Sequence, residues 1–231
     1  TEMVKAILEG RKTMTRRLTG LKTVNESPLK WEFTGLGVDK TIKVFKNFVL
    51  YTEKLLVGLY AQFRKFKKEE FCYCQCPYGE PGDLLWVRET WTGDIFSGSA
   101  NAFVYKATSP NHRNCQERKL SIWKPSIHMP KEAARIWLQV EEVRVERLQN
   151  ISEEDAIAEG VENALFYYGR RWKDYAFNDF EYPDSYRSFQ SLWSKINGIE
   201  SWHENPWVWV VKFKVLSTTG RPPFDSAQDD K

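Results

Sequence analysis

Nowhere does the sequence hold an apolar run long enough to span a bilayer, and it carries no signal-peptide pattern. Helical membrane insertion is thereby excluded as an expectation, and nothing addresses the chain for secretion. Charge of one sign is also in short supply. A formal net charge of +3 over 231 residues is no polycation whose obvious partner is nucleic acid. Cysteine is scarce, and three of the four form Cys72-Tyr73-Cys74-Gln75-Cys76, with Cys115 well downstream. Metal ligands are usually two or more residues apart, as in C-x2-C, so this spacing fits a metal centre poorly. In an extended strand the three thiols would share one face. Reduced cysteines without a secretion signal point to a reducing, cytoplasmic setting. No internal repeat is visible.

What is present suffices for a sizeable core: 42% hydrophobic residues and ten tryptophans. Length predicts one large domain, or a small one with insertions. Basic residues cluster at 11–22 and 40–68. The most informative stretch runs from Ile7 to Arg17. Val4, Ile7 and Leu8 follow helical spacing into Gly10, a glycine placed where helices stop. After it, four cations and two hydroxyls crowd into residues 11–17, where a turn is expected. Lys12 and Thr15 lie three residues apart. A lysine desolvated beside other cations has a lowered pKa and can act as a base, and an adjacent threonine then becomes a nucleophile for acyl transfer. A solvated basic turn, or arginines that hold a phosphate, would use the same residues.

The segment Gly10-Arg11-Lys12-Thr13-Met14-Thr15-Arg16-Arg17 resembles the signature loop of ASCH domains in the PUA-like superfamily, of pattern G-x-K-x-x-E/T-x-R. Gly10, Lys12, Thr15 and Arg17 occupy its defining positions. The threonine variant resembles small bacterial enzymes that hydrolyse N(4)-acetylcytidine, which implies Lys12 and Thr15 as the catalytic pair. The size and the tryptophan-rich segments resemble larger ASCH proteins of phages, prophages and metagenomes. The resemblance extends in pieces to about Leu216. It implies a mainly β, α+β fold: a PUA-like, partly open barrel of some five to seven strands with flanking helices.

Elsewhere the signals are more local. Val44, Phe48, Leu50 and Leu55–Tyr60 suggest short strands within an insertion at 20–75. The basic-aromatic run at 64–68 reads as a solvated strand edge rather than a nucleic-acid contact. A dense turn at Pro77–Asp83 feeds an apolar strand ending Val87-Arg88-Glu89, which looks like a second ASCH landmark. Arg88 and Glu89 fit a pocket mouth, with substrate-binding roles, as well as an ordinary ion-paired strand end. Residues 92–122 read as a polar excursion with a short strand at 102–107. His128, in a proline-rich block, reads better as a structural histidine than as a pocket residue. A long strand is predicted over 135–148, with a bulge at Glu141-Glu142.

Ser152 is placed to cap a helix whose first-turn acids, Glu153, Glu154 and Asp155, serve that cap. Glu159 sits at the opposite end, before Gly160, where the helix dipole disfavours negative charge and suits a proton donor. Its spacing resembles that of the catalytic glutamate in the cytidine amidohydrolases. Residues 163–183, rich in aromatics, form a second insertion, either a lid over a nucleobase or a surface packed on residues 20–75. Ser185–Asn197 is predicted as an amphipathic helix. Trp207–Leu216 alternates as the closing strand of a barrel would, and residues 217–231 read as a disordered tail.

The expected function is metal-independent, cofactor-free hydrolysis of an N(4)-acylated cytosine nucleoside. Lys12, Thr15 and Glu159 would be catalytic, and Arg17, Arg88 and Glu89 would bind substrate. The rival is a non-catalytic RNA-binding PUA-like module, as in a phage accessory protein.

Overall fold

The computed structural model of the chain describes residues 2–46, 49–93, 102–111 and 123–222. Phe48, Cys115, most of the polar excursion and the tail from 223 lie outside them. The described residues form a mainly β structure with helices on its flanks. A first helix, α1 (Glu2–Leu8), buries Val4 and Ile7 and stops as expected at Gly10, whose φ is +72°. The residues after it do not stay in a turn: Met14–Arg17 forms β1, an edge strand.

The principal sheet has the order β1, β12 (Trp207–Ser217), β8 (Trp137–Arg147), β5 (Leu84–Trp86), antiparallel throughout. The long 135–148 strand and its bulge are found, since Lys212 pairs with Glu142 and Phe213 with Val140, leaving Glu141 extra. The closing-strand expectation for β12 is corrected. β12 is an interior strand, and no sheet closes into a barrel among the described residues. Its Val-Trp-Val-Val run is buried on both faces, which is why the sequence is nearly continuous in apolar residues there. Val208 and Val210 pack toward the helices, and Trp209 and Val211 pack toward a second sheet.

That second sheet is β2 (Trp31–Lys46), β3 (Val49–Lys65) and β4 (Phe71–Gln75). The expected short strands are one long hairpin whose register runs from Trp31↔Lys65 to Lys46↔Val49. Phe63, Ala61 and Cys74 face Val140, Val143 and Trp209 across a shared core, with α2 (Lys22–Asn25) filling one end through Val24. The basic run lies at the β3–β4 turn, where Arg64 pairs with Glu32, Lys65 with Glu70, and Phe66 is exposed. β6 (Trp91–Gly93) pairs with β7 (Phe103–Tyr105) beside β5.

Residues 163–183 form a third sheet of β9 (Asn163–Phe166), β10 (Gly169–Asp174) and β11 (Asp179–Tyr182). It packs through Trp172, with neighbouring Tyr175, on α4 (Ser185–Asn197), the helix predicted from its apolar stripe, and not on residues 20–75. α3 (Glu153–Ala158) is capped by the Ser152 hydroxyl, which accepts from the Asp155 amide at 3.1 Å. A short α5 (Ile199–His203) brings Trp202 under α4. After β12 the chain is tied down further than expected, because the Gly220 amide donates to the Arg135 carbonyl. Among the described residues no helix is long and apolar enough to cross a membrane.

Candidate active site

Three chain segments meet where α1 ends, β1 begins and α3 ends. The amides of Arg11 and Lys12 both donate to the Ala6 carbonyl, folding the turn back on α1. The Thr13 amide then donates to the Ala158 carbonyl at 2.8 Å, and Lys12 forms an antiparallel bridge with Glu159. Gly160 makes this approach possible. Its φ is +87°, and a Cβ there would lie 2.8 Å from Lys12 Cβ and 2.9 Å from Ala6 Cβ.

The Lys12 ammonium donates to Glu159 Oε2 at 2.6 Å and to the Glu159 carbonyl at 2.9 Å. Lys12 and Glu159 are 3% and 4% exposed, so the pair is shielded from water. Burial pulls the Lys12 pKa below its usual 10.5, the Glu159 carboxylate opposes that shift, and Arg17 and Arg16 add to it. Glu159 Oε1 also faces Arg16 Nη1 at 3.4 Å. Arg16 continues into Asp155 at 2.6 Å and into Glu146, and Arg144 contacts both of those acids. Lys12, Arg16 and Arg144 thus face Glu159, Glu146 and Asp155, cation for anion, which is what so deep a cluster needs.

A cavity of about 180 Å³ opens on this cluster. Lys12, Thr15, Arg16, Arg17 and Glu159 line its polar side, with Phe189, Leu192 and Trp193 of α4 opposite. That volume is below the ~300–1,000 Å³ usual for whole drug-sized ligands. It suits one flat ring or an acyl group, with the remainder of a ligand outside. The Thr15 hydroxyl is buried and has no hydrogen-bond partner among the described residues. Its expected contact with Lys12 is absent. In β1, Thr15 pairs with Val211 and Arg16 with Val210, so strand alternation sends the two side chains to opposite faces. A larger cavity of about 770 Å³ lies between the β2–β3 hairpin and β5, but none of Lys12, Thr15 or Glu159 lines it.

The fold therefore brings Lys12, Thr15, Glu159 and Arg17 to one cavity and leaves Arg88 and Glu89 elsewhere. Glu89 is buried in a bidentate pair with Arg135, at 2.8 and 2.9 Å, and Arg135 lies over the Tyr105 ring. Arg88 stacks on Trp86. Glu89 is thus in a buried ion pair at the strand end, and Arg88 is exposed beside it. His128 is exposed in a short 3-10 turn, Ser126–His128, away from the cavity. Cys72 and Cys74 share a face of β4 with their sulfurs 3.8 Å apart, and Cys76 is buried just beyond, its thiol pushed up to about 11 by burial.

Two sequence readings need correction. Asp155 is more than a capping acid, since its carboxylate binds Arg16 and Arg144. Glu159 is not an isolated helix-end acid; it is the counter-ion of two cations delivered by the residues around β1. Arg144 and Glu146 were not legible as site residues, and Arg16 was legible only as an arginine that could hold a phosphate. The one available signal was their placement on strands beside a strand apolar on both faces, where a charged side chain ends up buried. No protein-family model matches the chain, and no curated protein or solved structure matches it significantly.

Proposed function

We propose that this protein is a metal-independent amidohydrolase that removes the acyl group from an N(4)-acylated cytosine nucleoside in the cytoplasm, in an ASCH-like, PUA-related fold. One observation carries the reading: a water-shielded Lys12–Glu159 pair at 2.6 Å faces a ring-sized cavity that Thr15 also lines. Such a pair holds one mobile proton. With the proton on Glu159, Lys12 is an amine base and Glu159 a carboxylic acid, and desolvation of Lys12 brings that form closer in energy to the ion pair.

In the proposed sequence the Thr15 oxygen attacks the acyl carbon and its proton passes to Lys12. The C–N bond then breaks as Glu159 protonates the departing exocyclic nitrogen. This yields free cytidine, a Thr15 ester and the restored ion pair. Water hydrolyses the ester by the same exchange, giving up a proton to Lys12 while the Thr15 oxygen regains one from Glu159. Because Thr15 lies on the face of β1 opposite Arg16, its attack requires the edge strand β1 to turn the Thr15 hydroxyl toward Lys12 when substrate binds. Arg17, exposed at the rim, fits a role in holding the base or sugar.

The test is to incubate purified protein with N(4)-acetylcytidine and follow ultraviolet absorbance. Conversion to cytidine, unaffected by a chelator, is expected. Folded protein at high concentration that leaves the substrate intact overturns the reading.

A further inference from the structure

The third sheet presents an open face that packing does not explain. β9 and β10 pair Gly169 with Phe166 and Arg171 with Ala164, and β11 adds Phe180 opposite Lys173, so these side chains share one face. The other face is the one Trp172 buries against α4. On the open face the Phe166 and Tyr168 rings are stacked, 5.2 Å apart and 8° from parallel, with Phe180 next along the row. The Arg171 guanidinium lies 5.1 Å from the Tyr168 ring centre. Tyr167, at the turn, is 99% exposed.

Charge is segregated along the same sheet. On the open face Arg171 has no ion-pair partner among the described residues, whereas Arg170, opposite Leu165, lies on the Trp172 face. The acids Asp179 and Glu181 sit on β11, which pairs only with Trp172–Asp174, the end of β10 remote from the turn. A row of rings, with Phe166 and Tyr168 exposed, beside one uncompensated guanidinium is complementary to bases and phosphates together. Unpaired bases add to such a stack as further layers, whereas a duplex keeps its base faces hidden.

We infer that this face of the β9–β11 sheet docks single-stranded RNA. The choice of RNA rests on the ribonucleoside reading of the cavity; the stacking argument does not. β9 begins four residues after Glu159, and Trp172 packs on the same helix, α4, that lines the cavity. The acylated cytosine would then be a residue of an RNA strand whose neighbours stack on Phe166 and Tyr168.

The experiment is fluorescence anisotropy of the full chain with a labelled single-stranded RNA, the same sequence as DNA, and the RNA duplex. Tight single-stranded RNA binding is expected, with DNA and duplex weaker. Tyr168→Ala and Phe166→Ala should each weaken it about tenfold or more, and Tyr168→Phe should restore it. Arg171→Gln should reduce the salt slope by about 0.7 for one lost phosphate contact. These exposed substitutions should leave melting temperature and hydrolysis of the free nucleoside unchanged, and Thr15→Ala should bind RNA normally. Binding without hydrolysis would count against the proposed activity alone. Absence of RNA binding, binding indifferent to the three hairpin residues, or preference for DNA or duplex would overturn the docking surface.

Discussion

At the scale of single residues, the proposed function rests on a proton shared between Lys12 and Glu159. Lys12→Ala and Thr15→Ala should each nearly abolish turnover in the ultraviolet assay, and the double variant should be scarcely worse than either alone, because residues acting as one unit are non-additive. If Thr15→Ala keeps most of its activity, a lysine-activated water is the nucleophile. Glu159→Gln should lower the rate about 100-fold or more, whereas Glu154→Gln, on the exposed first turn of α3, should change it little. The sign of the pH dependence follows from burial of Lys12, which lowers its pKa from 10.5. Between that lowered value and 10.5 the unfolded chain holds the proton and the folded chain does not. Stability should therefore rise with pH across this window and level off above it, and Lys12→Met should flatten that slope in melting-temperature series. Because the reactive form keeps the pair's one proton, activity should fall with pH as that proton is lost to solvent, along a limb below 10.5. In Glu159→Gln the Lys12 proton should be lost at lower pH still, because the carboxylate that opposes the shift is gone.

At the scale of elements, the site depends on how closely the end of α3 approaches the start of β1. Gly160→Ala places a methyl group within 3 Å of Lys12 Cβ and Ala6 Cβ at a φ of +87°. A loss of about 1–3 kcal/mol is expected in urea unfolding, together with loss of activity. Gly10→Ala is the control, since its φ of +72° is also left-handed but nothing lies within 4 Å. Only about 1 kcal/mol should be lost there. Asp155→Asn keeps a side chain able to cap but removes the charge that faces Arg16 and Arg144. It should destabilise the fold more than loss of an ordinary surface pair, which contributes roughly 0–1 kcal/mol.

At the scale of the whole molecule, β12 joins the helical layer to the long hairpin, so its interior residues carry both packings. Trp209 is fully buried, and its indole N–H has no hydrogen-bond partner among the described residues. Trp209→Phe gives up no hydrogen bond and should be tolerated better than Trp209→Ala, for which a loss of about 3–5 kcal/mol is expected. Chemical denaturation of both variants checks the ordering. Equal losses would mean that the indole ring is poorly packed despite its burial.

The sequence by itself determined the parts that depend on neighbours along the chain. The Gly10 stop, the Ser152 cap, the Ser185–Asn197 stripe and the bulge at Glu141 all follow from local spacing and backbone freedom. It also singled out Lys12, Thr15 and Glu159, because cations packed beside hydroxyls and an acid at the wrong end of a helix are locally anomalous. Tertiary structure alone decided what those residues touch. A strand exposes two faces, and alternation cannot tell whether one or both will be covered. The burial of Arg16, the second role of Asp155 and the interior position of β12 were therefore open until the sheets were stacked. The same limit separated Glu89 from the cavity, since its partner Arg135 lies 46 residues away in the chain and pairing over such distances leaves no local pattern.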